Sequence, residues 1–473
     1  MGLIKKYVGN REFYKMILLI SVPIMIQNGI TNFVSLLDNL MVGRLGTEAM
    51  SGISIVNQFI FIYNLCVFGV LAAAGIFTSQ YFGAVDHENV RYTFRFKLIL
   101  NLVIGILGVV VFLVFDDQLI GLFLHGSGDV GNLELTLEYG RQYTAVMTVG
   151  LIPYAIAQAY ASTVREVGDT VMPMIASLAA VATNFIFNLL LIFGYLGFPA
   201  LGVVGAAIAT VISRFVELFV IVIYTHAKHN KFIFINGAYR SLYIPKRLFR
   251  SILIKGVPLM FNEVFWALAV TMRNQCYSTR GLDVVAAHNI DLTIFNVLSV
   301  TYMALGTSIS IIIGRLLGAE KYEEAKDTDR KMIAFSIFCG AIMAILLSTL
   351  APIFPKLYNT SDEIRSLAAY MMIVSGLTMP FCAFANASYF TLRSGGRILI
   401  TMLLDSFYMW VVVMPISAAL AYFTDINIYL LFAIGQSLEI VKAIFGGFLL
   451  KYGSWAHTLV DSKEQNSPNG ATI

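Results

Sequence analysis

The chain has 473 residues, of which 58% are hydrophobic and 13% are charged. A soluble protein carries about 25% charged residues, so this composition excludes an ordinary water-soluble protein and predicts a membrane protein. The net charge of +4 is small and the basic residues are scattered through short segments, which gives nucleic-acid binding little support. The four cysteines lie in apolar runs and match no metal motif, so neither a metal site nor a disulfide framework is predicted.

Twelve apolar segments are long enough to cross a bilayer, since a helix needs about 20 mainly apolar residues to do so. Several are longer than that, which predicts tilted helices or helices that extend beyond the bilayer. The predicted fold is all-α, a polytopic membrane protein with no room for a sizeable soluble domain. In chain order the predicted spans are 14–42, 52–82, 93–124, 136–162, 171–197, 201–226, 250–278, 286–316, 332–356, 366–391, 398–423 and 428–450.

The distribution of Lys and Arg between alternate segments predicts the orientation. With the N-terminus inside, 24 of the 32 Lys and Arg residues fall in inside segments, five in outside segments and three within spans. Because cytoplasmic loops are enriched in Lys and Arg, we expect both termini to be cytoplasmic. The expected location is the inner (cytoplasmic) membrane of the cell.

The two halves of the sequence match when one is shifted by 235 residues: VPIM at 22–25 then aligns with VPLM at 257–260, and FGA at 82–84 with LGA at 317–319. Each half has six spans and starts on the same side, so the repeat predicts two parallel lobes about an axis along the membrane normal. The predicted boundaries are 1–227 for the N-terminal lobe, 228–249 for a cytoplasmic linker, 250–453 for the C-terminal lobe and 454–473 for a disordered cytoplasmic tail.

Motifs along the chain resemble those of multidrug and toxic compound extrusion (MATE) transporters. They are PxxxQ and DNLMVGRLG in span 1, REVGDTVMP after span 4, NFIFNLLLIFG in span 5, GVPLMFNEVFW in span 7, and LRSGG and DSFYMWVVVMP across spans 10 and 11. The resemblance covers nearly all twelve spans and implies a V-shaped fold of two pseudo-symmetric six-helix lobes. It implies an exporter in the lipid membrane, with no cofactor and no enzymatic activity. We expect a monomer, although the sequence leaves the oligomeric state open. Such an exporter exchanges cytosolic organic cations or other amphipathic small molecules for protons or sodium ions.

Asp38 is the first candidate site residue. A carboxylate deep in a span costs about 2.5–3.5 kcal/mol on insertion scales, so it is kept where it is paired, faces water or binds a cation. Asp38 lies 15 residues after Pro23, which is roughly 22 Å along a helix. The resemblance makes it the proton- or cation-binding carboxylate of the N-terminal lobe. The structural alternative is a pair with an interior Arg or a capping role.

Asn184 and Asn188 are four residues apart and share a helix face. Their side-chain carbonyl groups could join Asp38 around a small cation, since hard cations take oxygen ligands. Asn184 and Thr210 resemble the N-lobe site of the family, in which some members have Asp at the position of Asn188. Loss of that second charge weakens the case for sodium and leaves protonation of Asp38 as the alternative. Interhelical hydrogen bonding is the structural reading of both Asn residues.

Glu263 is the first candidate of the C-terminal lobe, five residues after Pro258. It matches a glutamate that helps bind the ion in sodium-coupled members of the family. Those members have a partner acid in span 10, where this chain has Cys382, so a complete sodium site is in doubt there. Asp291 in span 8 and Asp405 in span 11 could substitute for the missing acid.

Arg273 occupies the place in the second half that Asp38 occupies in the first. We expect it to neutralise Glu263 or Asp291; alternatively it approaches the central cleft and disfavours cationic substrates. Two pairs of opposite charge three residues apart are expected to be structural: Arg214 with Glu217, and Glu439 with Lys442.

Two other functions compete with export. A lipid-linked oligosaccharide flippase of the same superfamily would line its cavity with several cationic residues, and Arg273 is almost the only candidate. A membrane-embedded enzyme would need a clustered catalytic site, which the sequence does not display. There is no Walker-type Gly-rich loop, so ATP is not expected to drive transport directly.

Overall fold

The computed structural model of the chain describes residues 6–121 and 133–460. These residues form helices, and no β-strand occurs among them. Twelve of the helices are long and apolar enough to cross a membrane, which confirms the all-α prediction with twelve spans. They are α1 Arg11–Gly43, α2 Thr47–Gly83, α3 His87–Val114, α4 Leu133–Glu166, α5 Val171–Phe193, α6 Gly202–Ala227, α7 Lys246–Ser278, α8 Leu282–Gly318, α9 Tyr322–Leu350, α10 Asp362–Ser394, α11 Ile398–Phe423 and α12 Ile428–Tyr452.

Several helices continue past the apolar segments that predicted them. α9 begins at Tyr322 rather than at 332, and its first turn contains Glu323 and Glu324. The apolar segment marks the part of a helix that lies in hydrocarbon. A helix can continue into water, because its backbone hydrogen bonds are formed within the helix.

The third span is shorter than predicted. α3 ends at Val114, and a separate short helix, Asp116–Gly121, follows it. Two consecutive carboxylates, Asp116 and Asp117, open this short helix, where acidic side chains complement the helix dipole. The last residues of the predicted span, 122–124, lie outside the described residues.

Backbone contacts divide the chain into two compact units. We refer to Val22–Gly75 with His87–Gly256 as the N-unit. We refer to the described parts of Met1–Ser21, Ile76–Asp86 and Val257–Ile473 as the C-unit. This division is based on contacts within each unit and does not test where the linker lies. The lobe boundaries expected from the sequence therefore remain predictions.

The two units have matching starting points. The N-unit begins at Val22 and the main part of the C-unit at Val257, positions that the 235-residue shift aligns. Each is followed at once by a proline, Pro23 or Pro258, inside a helix. The division of the structure into units therefore agrees with the internal repeat of the sequence.

Within the N-unit, α5 and α6 approach closely. A Cβ added to Gly205 of α6 would lie 2.3 Å from the carbonyl oxygen of Leu191 on α5. The Leu201 N–H donates to that same oxygen at 2.7 Å. Small residues allow such close packing of membrane helices. Because the helices run antiparallel from this point, Asn184 of α5 and Thr210 of α6 lie at similar depth.

The segment between α6 and α7 is bound to α3 by a buried arginine. The guanidinium of Arg95 donates to the backbone carbonyl oxygens of Gly237, Ala238 and Tyr243 at 2.8, 2.8 and 3.1 Å. In the same segment, Lys231 donates a hydrogen bond at 2.6 Å to the carboxylate of Asp169, which lies between α4 and α5, and this carboxylate raises the pKa of the ammonium group. This segment is therefore a folded part of the N-unit.

In the C-unit, α11 departs from α-helical geometry in its middle. Leu403–Phe407 and Met409–Val413 form π-helical turns. Single π turns inside α-helices are frequent at functional sites. Asp405 lies in the first of these turns, so the π geometry directly sets where this carboxylate points.

Candidate functional site

Asp38 lies on α1 of the N-unit and is half-buried. Two amide side chains of α5 face its carboxylate. Asn188 Nδ2 donates to Asp38 Oδ1 at 2.6 Å. With its amide oriented to satisfy its neighbours, Asn184 donates to both Asp38 oxygens at 3.0 Å and accepts from the Thr210 hydroxyl at 3.2 Å. The structure thus brings together all four residues that the sequence indicated for the N-terminal site.

The spacing of the two asparagines explains the arrangement. One helical turn separates Asn184 from Asn188, so both point to one side of α5. Their side chains are 6% and 2% exposed, and apolar residues fill most of the rest of this helix. A buried amide needs hydrogen-bond partners, and Asp38 supplies acceptors for both.

The Asp38 carboxylate has amide neighbours but no basic partner. Among the described residues, no Lys, Arg or His lies within ion-pair distance of it. Amide N–H groups stabilise a carboxylate by hydrogen bonding yet leave its net charge unchanged. The structural alternative of a pair with an interior Arg does not hold for the described residues, and the group can accept a proton without first breaking an ion pair.

Next to Thr210 the N-unit contains a small cavity of about 10 Å³ with a mainly apolar lining. Arg214 lines it, with its guanidinium 3.9 Å from the ring centre of Tyr154. Glu217 instead accepts a hydrogen bond from Gln158 at 3.2 Å. Arg214 and Glu217 therefore have their close contacts with residues of α4 rather than with each other, although the charge of Arg214 still acts on Glu217. A cation–aromatic contact between helices has no signal in sequence spacing.

The C-unit candidates form ion pairs between helices. Arg273 Nη1 of α7 lies 3.6 Å from Glu439 Oε1 of α12, so its ion pair is with Glu439 rather than with the expected Glu263 or Asp291, although its charge still acts on Asp291. Lys442 Nζ lies 2.9 Å from Asp405 Oδ1, so its ion pair is with Asp405, and the charge of Glu439 acts on it from a greater distance. The reason is the same for both. Spacing along one helix shows which residues share a face, whereas α12 presents this face to two other helices.

Glu263 also has a basic neighbour. The Tyr389 hydroxyl donates to Glu263 Oε1 at 2.8 Å, and Arg393 Nη1 lies 4.0 Å from the same oxygen. Arg393 belongs to the LRSGG motif. Glu263 therefore lacks the partner acid, because Cys382 occupies that position, and it has a base nearby instead. Both features disfavour a sodium site at this carboxylate.

Asp405 is further held by an asparagine. Asn262 Nδ2 donates to Asp405 Oδ2 at 3.1 Å, and Asn262 Oδ1 accepts from the Ser406 hydroxyl at 2.6 Å. With Lys442 on its other oxygen, this carboxylate is fully engaged. Its partners indicate a structural role that fixes α11 against α7 and α12.

The model of the MatE family matches residues 23–190 and 258–422 of the chain. The chain belongs to the MatE family. The two matched segments begin at Pro23 and Pro258, so the repeat of this MatE protein is also the repeat unit of its family. As a MatE protein the chain is a multi-pass membrane transporter and not an enzyme.

Relatives with assigned names are similar over most of their length. The probable multidrug resistance protein YoeA of Bacillus subtilis (strain 168) is 23% identical over 86% of this chain and 87% of its own. The probable multidrug resistance protein NorM of Thermotoga maritima is 23% identical over 98% of both chains. A NorM protein of Bacillus cereus (strain ATCC 14579) is 26% identical over 87% of this chain and 89% of its own.

Solved structures share the fold of this MatE protein. A MOP superfamily transporter from Pyrococcus furiosus matches with a TM-score of 0.81 at 19% identity, covering 95% of this chain and 98% of the other. The Vibrio cholerae MATE transporter VcmN in its bent form matches with a TM-score of 0.82 at 16% identity, covering 93% and 96%. At these identities the likeness extends to the fold alone.

Proposed function

We propose that this MatE protein is a secondary active exporter that exchanges amphipathic, mainly cationic, compounds for protons. The names of its relatives, which are probable multidrug resistance proteins, support the substrate class. The surroundings of Asp38 support the proton. Both termini face the cytoplasm in this proposal, in the inner membrane, as the Lys and Arg distribution predicts.

The hydrogen bond from Asn188 is the observation that carries the choice of ion. Asn188 Nδ2 donates to the Asp38 carboxylate at 2.6 Å. A sodium ion would need the amide oxygen instead, because hard cations take oxygen ligands. The Asn188 amide would have to turn over to bind sodium, whereas a proton can bind to a carboxylate oxygen directly.

Protonation gives the two states of Asp38 different interactions. Ionised Asp38 accepts hydrogen bonds from both amides, and protonated Asp38 can accept fewer while donating one of its own. A ligand shifts a conformational equilibrium only through such differences between states. In the proposed cycle a proton arrives from outside, loosens the contact of α1 with α5, and substrate leaves outward.

The energy available from one carboxylate is sufficient. One elementary charge crossing 100 mV supplies about 2.3 kcal/mol. Since about 1.4 kcal/mol corresponds to a factor of ten, this supports roughly a 50-fold gradient of a neutral substrate. For a monovalent cation exchanged for one proton no net charge crosses the membrane, and each unit of pH difference instead supports about a tenfold gradient. One titrating group therefore accounts for useful efflux.

The test uses purified protein in liposomes loaded with a fluorescent cationic dye. Wild type should move the dye under a pH gradient alone and not under a sodium gradient alone. Asp38→Asn should insert and fold yet lose this flux. Asp117→Asn, which removes an acid that is 51% exposed, is the matched control and should keep it. Flux driven by sodium alone, or wild-type flux from Asp38→Asn, would overturn the proposal.

A further inference from the structure

The C-unit contains a second buried acid without a Lys or Arg partner. Asp291 of α8 has a side chain that is 1% exposed, and among the described residues no Lys or Arg lies within ion-pair distance of it. Its Oδ2 accepts from the Ser375 hydroxyl at 3.0 Å. Its Oδ1 is buried with no hydrogen-bond partner. An unsatisfied buried carboxylate oxygen is costly, so this group differs from Glu263 and Asp405.

A histidine faces this acid from one turn earlier on the same helix. His288 Nδ1 lies 3.9 Å from Asp291 Oδ2. His288 Nε2 lies 3.3 Å from Asn274 Oδ1, an oxygen that can only accept, and on this ground we assign the hydrogen of the neutral ring to Nε2. Nδ1 then presents a lone pair, and it is buried without a partner. Two hydrogen-bond acceptors face each other with no donor between them.

Aromatic rings hold the histidine in this position. The His288 ring is 5.5 Å from the Tyr277 ring at 84° and 5.6 Å from the Phe432 ring at 70°. Both are edge-to-face contacts, the arrangement that aromatic pairs favour. The imidazole therefore has little freedom to turn Nδ1 toward another partner.

One charged side chain acts on both members of the pair, Arg273 of α7. Tyr277 of α7 packs against the His288 ring, and α10 contributes the uncharged Ser375. Since Arg273 forms its ion pair with Glu439, it offsets an ionised Asp291 only from a distance.

A cleft leads to the histidine. It has a volume of about 250 Å³ between the end of α7 and the beginning of α8, and its mainly apolar lining includes several polar residues. The polar residues are Asn274, Gln275, Ser278, His288 and Asn289. Water can enter a cleft that is roomy and polar. Asp291 lies behind His288, so the imidazole separates the carboxylate from the cleft.

We propose that His288 and Asp291 form a second proton-binding site in this transporter. The Asp291 carboxylate takes up one proton from water in the cleft beside His288 and becomes a neutral carboxyl group, while His288 stays neutral. The lone pair of His288 Nδ1, 3.9 Å from Asp291 Oδ2, disfavours the ionised acid and so favours the protonated one. This inference rests on the proposed function, because a second proton site changes the number of protons exchanged for each substrate molecule.

A proton suits this site better than a metal ion. Among the described residues, no group of three or more His, Cys, Asp or Glu side chains is placed to hold a metal. A sodium ion would find oxygen ligands at Asp291 and the Ser375 hydroxyl. Protein sites for Ca²⁺ and Mg²⁺ have about six or more oxygen ligands.

Proton binding is tested first without transport. Infrared difference spectra of the purified full chain, taken between alkaline and acid pH, report protonated carboxyl groups. Asp291→Asn should lose one carboxyl band that wild type and Asp283→Asn retain; Asp283 is an exposed acid in the first turn of the same helix. If Asp291→Asn retains every band of wild type, the site does not exist.

The second arm measures the number of protons per substrate in liposomes with the membrane potential clamped at zero. At a pH difference of one unit, each coupled proton supports about a tenfold limiting gradient. Wild type should therefore reach about 100-fold and Asp291→Asn or His288→Gln about tenfold, with Asp283→Asn like wild type. Unchanged limiting gradients in both variants would overturn the proposal.

The two arms separate the two proposals. If wild type shows no flux under a pH gradient, the proposed function fails while the infrared band still decides the site. Helix content and thermal unfolding of each variant identify misfolding, and His288→Gln provides an independent variant because a glutamine amide keeps a donor toward Asp291 without binding a proton.

Discussion

At the scale of single residues, Asp38 is held by donors that respond only to its charge. Asn188 Nδ2, at 2.6 Å from Asp38 Oδ1, makes the shorter of the amide contacts. Hydrogen bonds to charged groups contribute about 1.5–3 kcal/mol. This contribution exists while the carboxylate is ionised and diminishes once it is protonated. The stabilising effect of Asn188 is therefore tied to pH.

We expect Asn188→Leu to destabilise the protein by about 1–3 kcal/mol at alkaline pH, because the ionised carboxylate loses a donor. At acid pH, below the titration of Asp38, the difference from wild type should shrink. Thermal unfolding of both proteins across pH measures it. The matched control is Asn101→Leu, since both polar atoms of this buried asparagine lack partners. A destabilisation of Asn188→Leu that is equal at all pH values would contradict the assigned contact.

At the scale of helices, the close contact between α5 and α6 determines whether the site assembles. Gly205 lies against the Leu191 carbonyl group, and this contact sets Thr210 beside Asn184. A side chain at 205 would push α6 outward. Thr210 would then move away from the amide that it donates to, so packing and site geometry are coupled through one glycine.

Gly205→Ala should therefore lower the thermal unfolding temperature, with a cost of about 1–3 kcal/mol as for other overpacked positions. Dye efflux should fall with it. Gly29→Ala provides the comparison, because an added Cβ meets nothing within 4 Å there and alanine favours a helix over glycine by about 1 kcal/mol. Equal unfolding temperatures for Gly205→Ala and wild type would show that α5 and α6 can separate freely.

The helices and the first site could be predicted from sequence for physical reasons. Hydropathy determines which segments enter a bilayer, and Asn184 and Asn188 share a face because of helical periodicity alone. Partners on other helices could not be predicted in this way. Helix packing determines these partners and local geometries. Examples are the pairing of Arg273 with Glu439, the π turns around Asp405 and the contact of His288 with Asp291.

At the scale of the whole molecule, the repeat does not extend to the charges. The candidate acid of the N-unit, Asp38, has amide partners, whereas Glu263 and Asp405 of the C-unit each have a base nearby. The 235-residue shift places Arg273 where Asp38 stands. Related backbones thus carry different electrostatics, and only the N-unit keeps an acid at the repeated position.

The orientation can be tested with single cysteines in a background without the four native ones. Leu242→Cys, in the segment between α6 and α7, should react only with reagents that reach the cytoplasm, and Leu282→Cys, at the start of α8, only with external ones. Both leucines are well exposed, at 73% and 86%, so access rather than burial decides labelling. Labelling of both from the same side would contradict the predicted topology.

Arg95 shows that the segment between α6 and α7 does more than connect the two halves of the sequence. Its guanidinium donates to the carbonyl oxygens of Gly237, Ala238 and Tyr243. The segment between α6 and α7 therefore supplies the hydrogen-bond acceptors that a buried cation needs. Lengthening or splicing the chain between these positions would strand several N–H groups in an apolar setting. Engineers who wish to insert a tag or fuse a reporter there would disturb the first half's interior, not merely its surface.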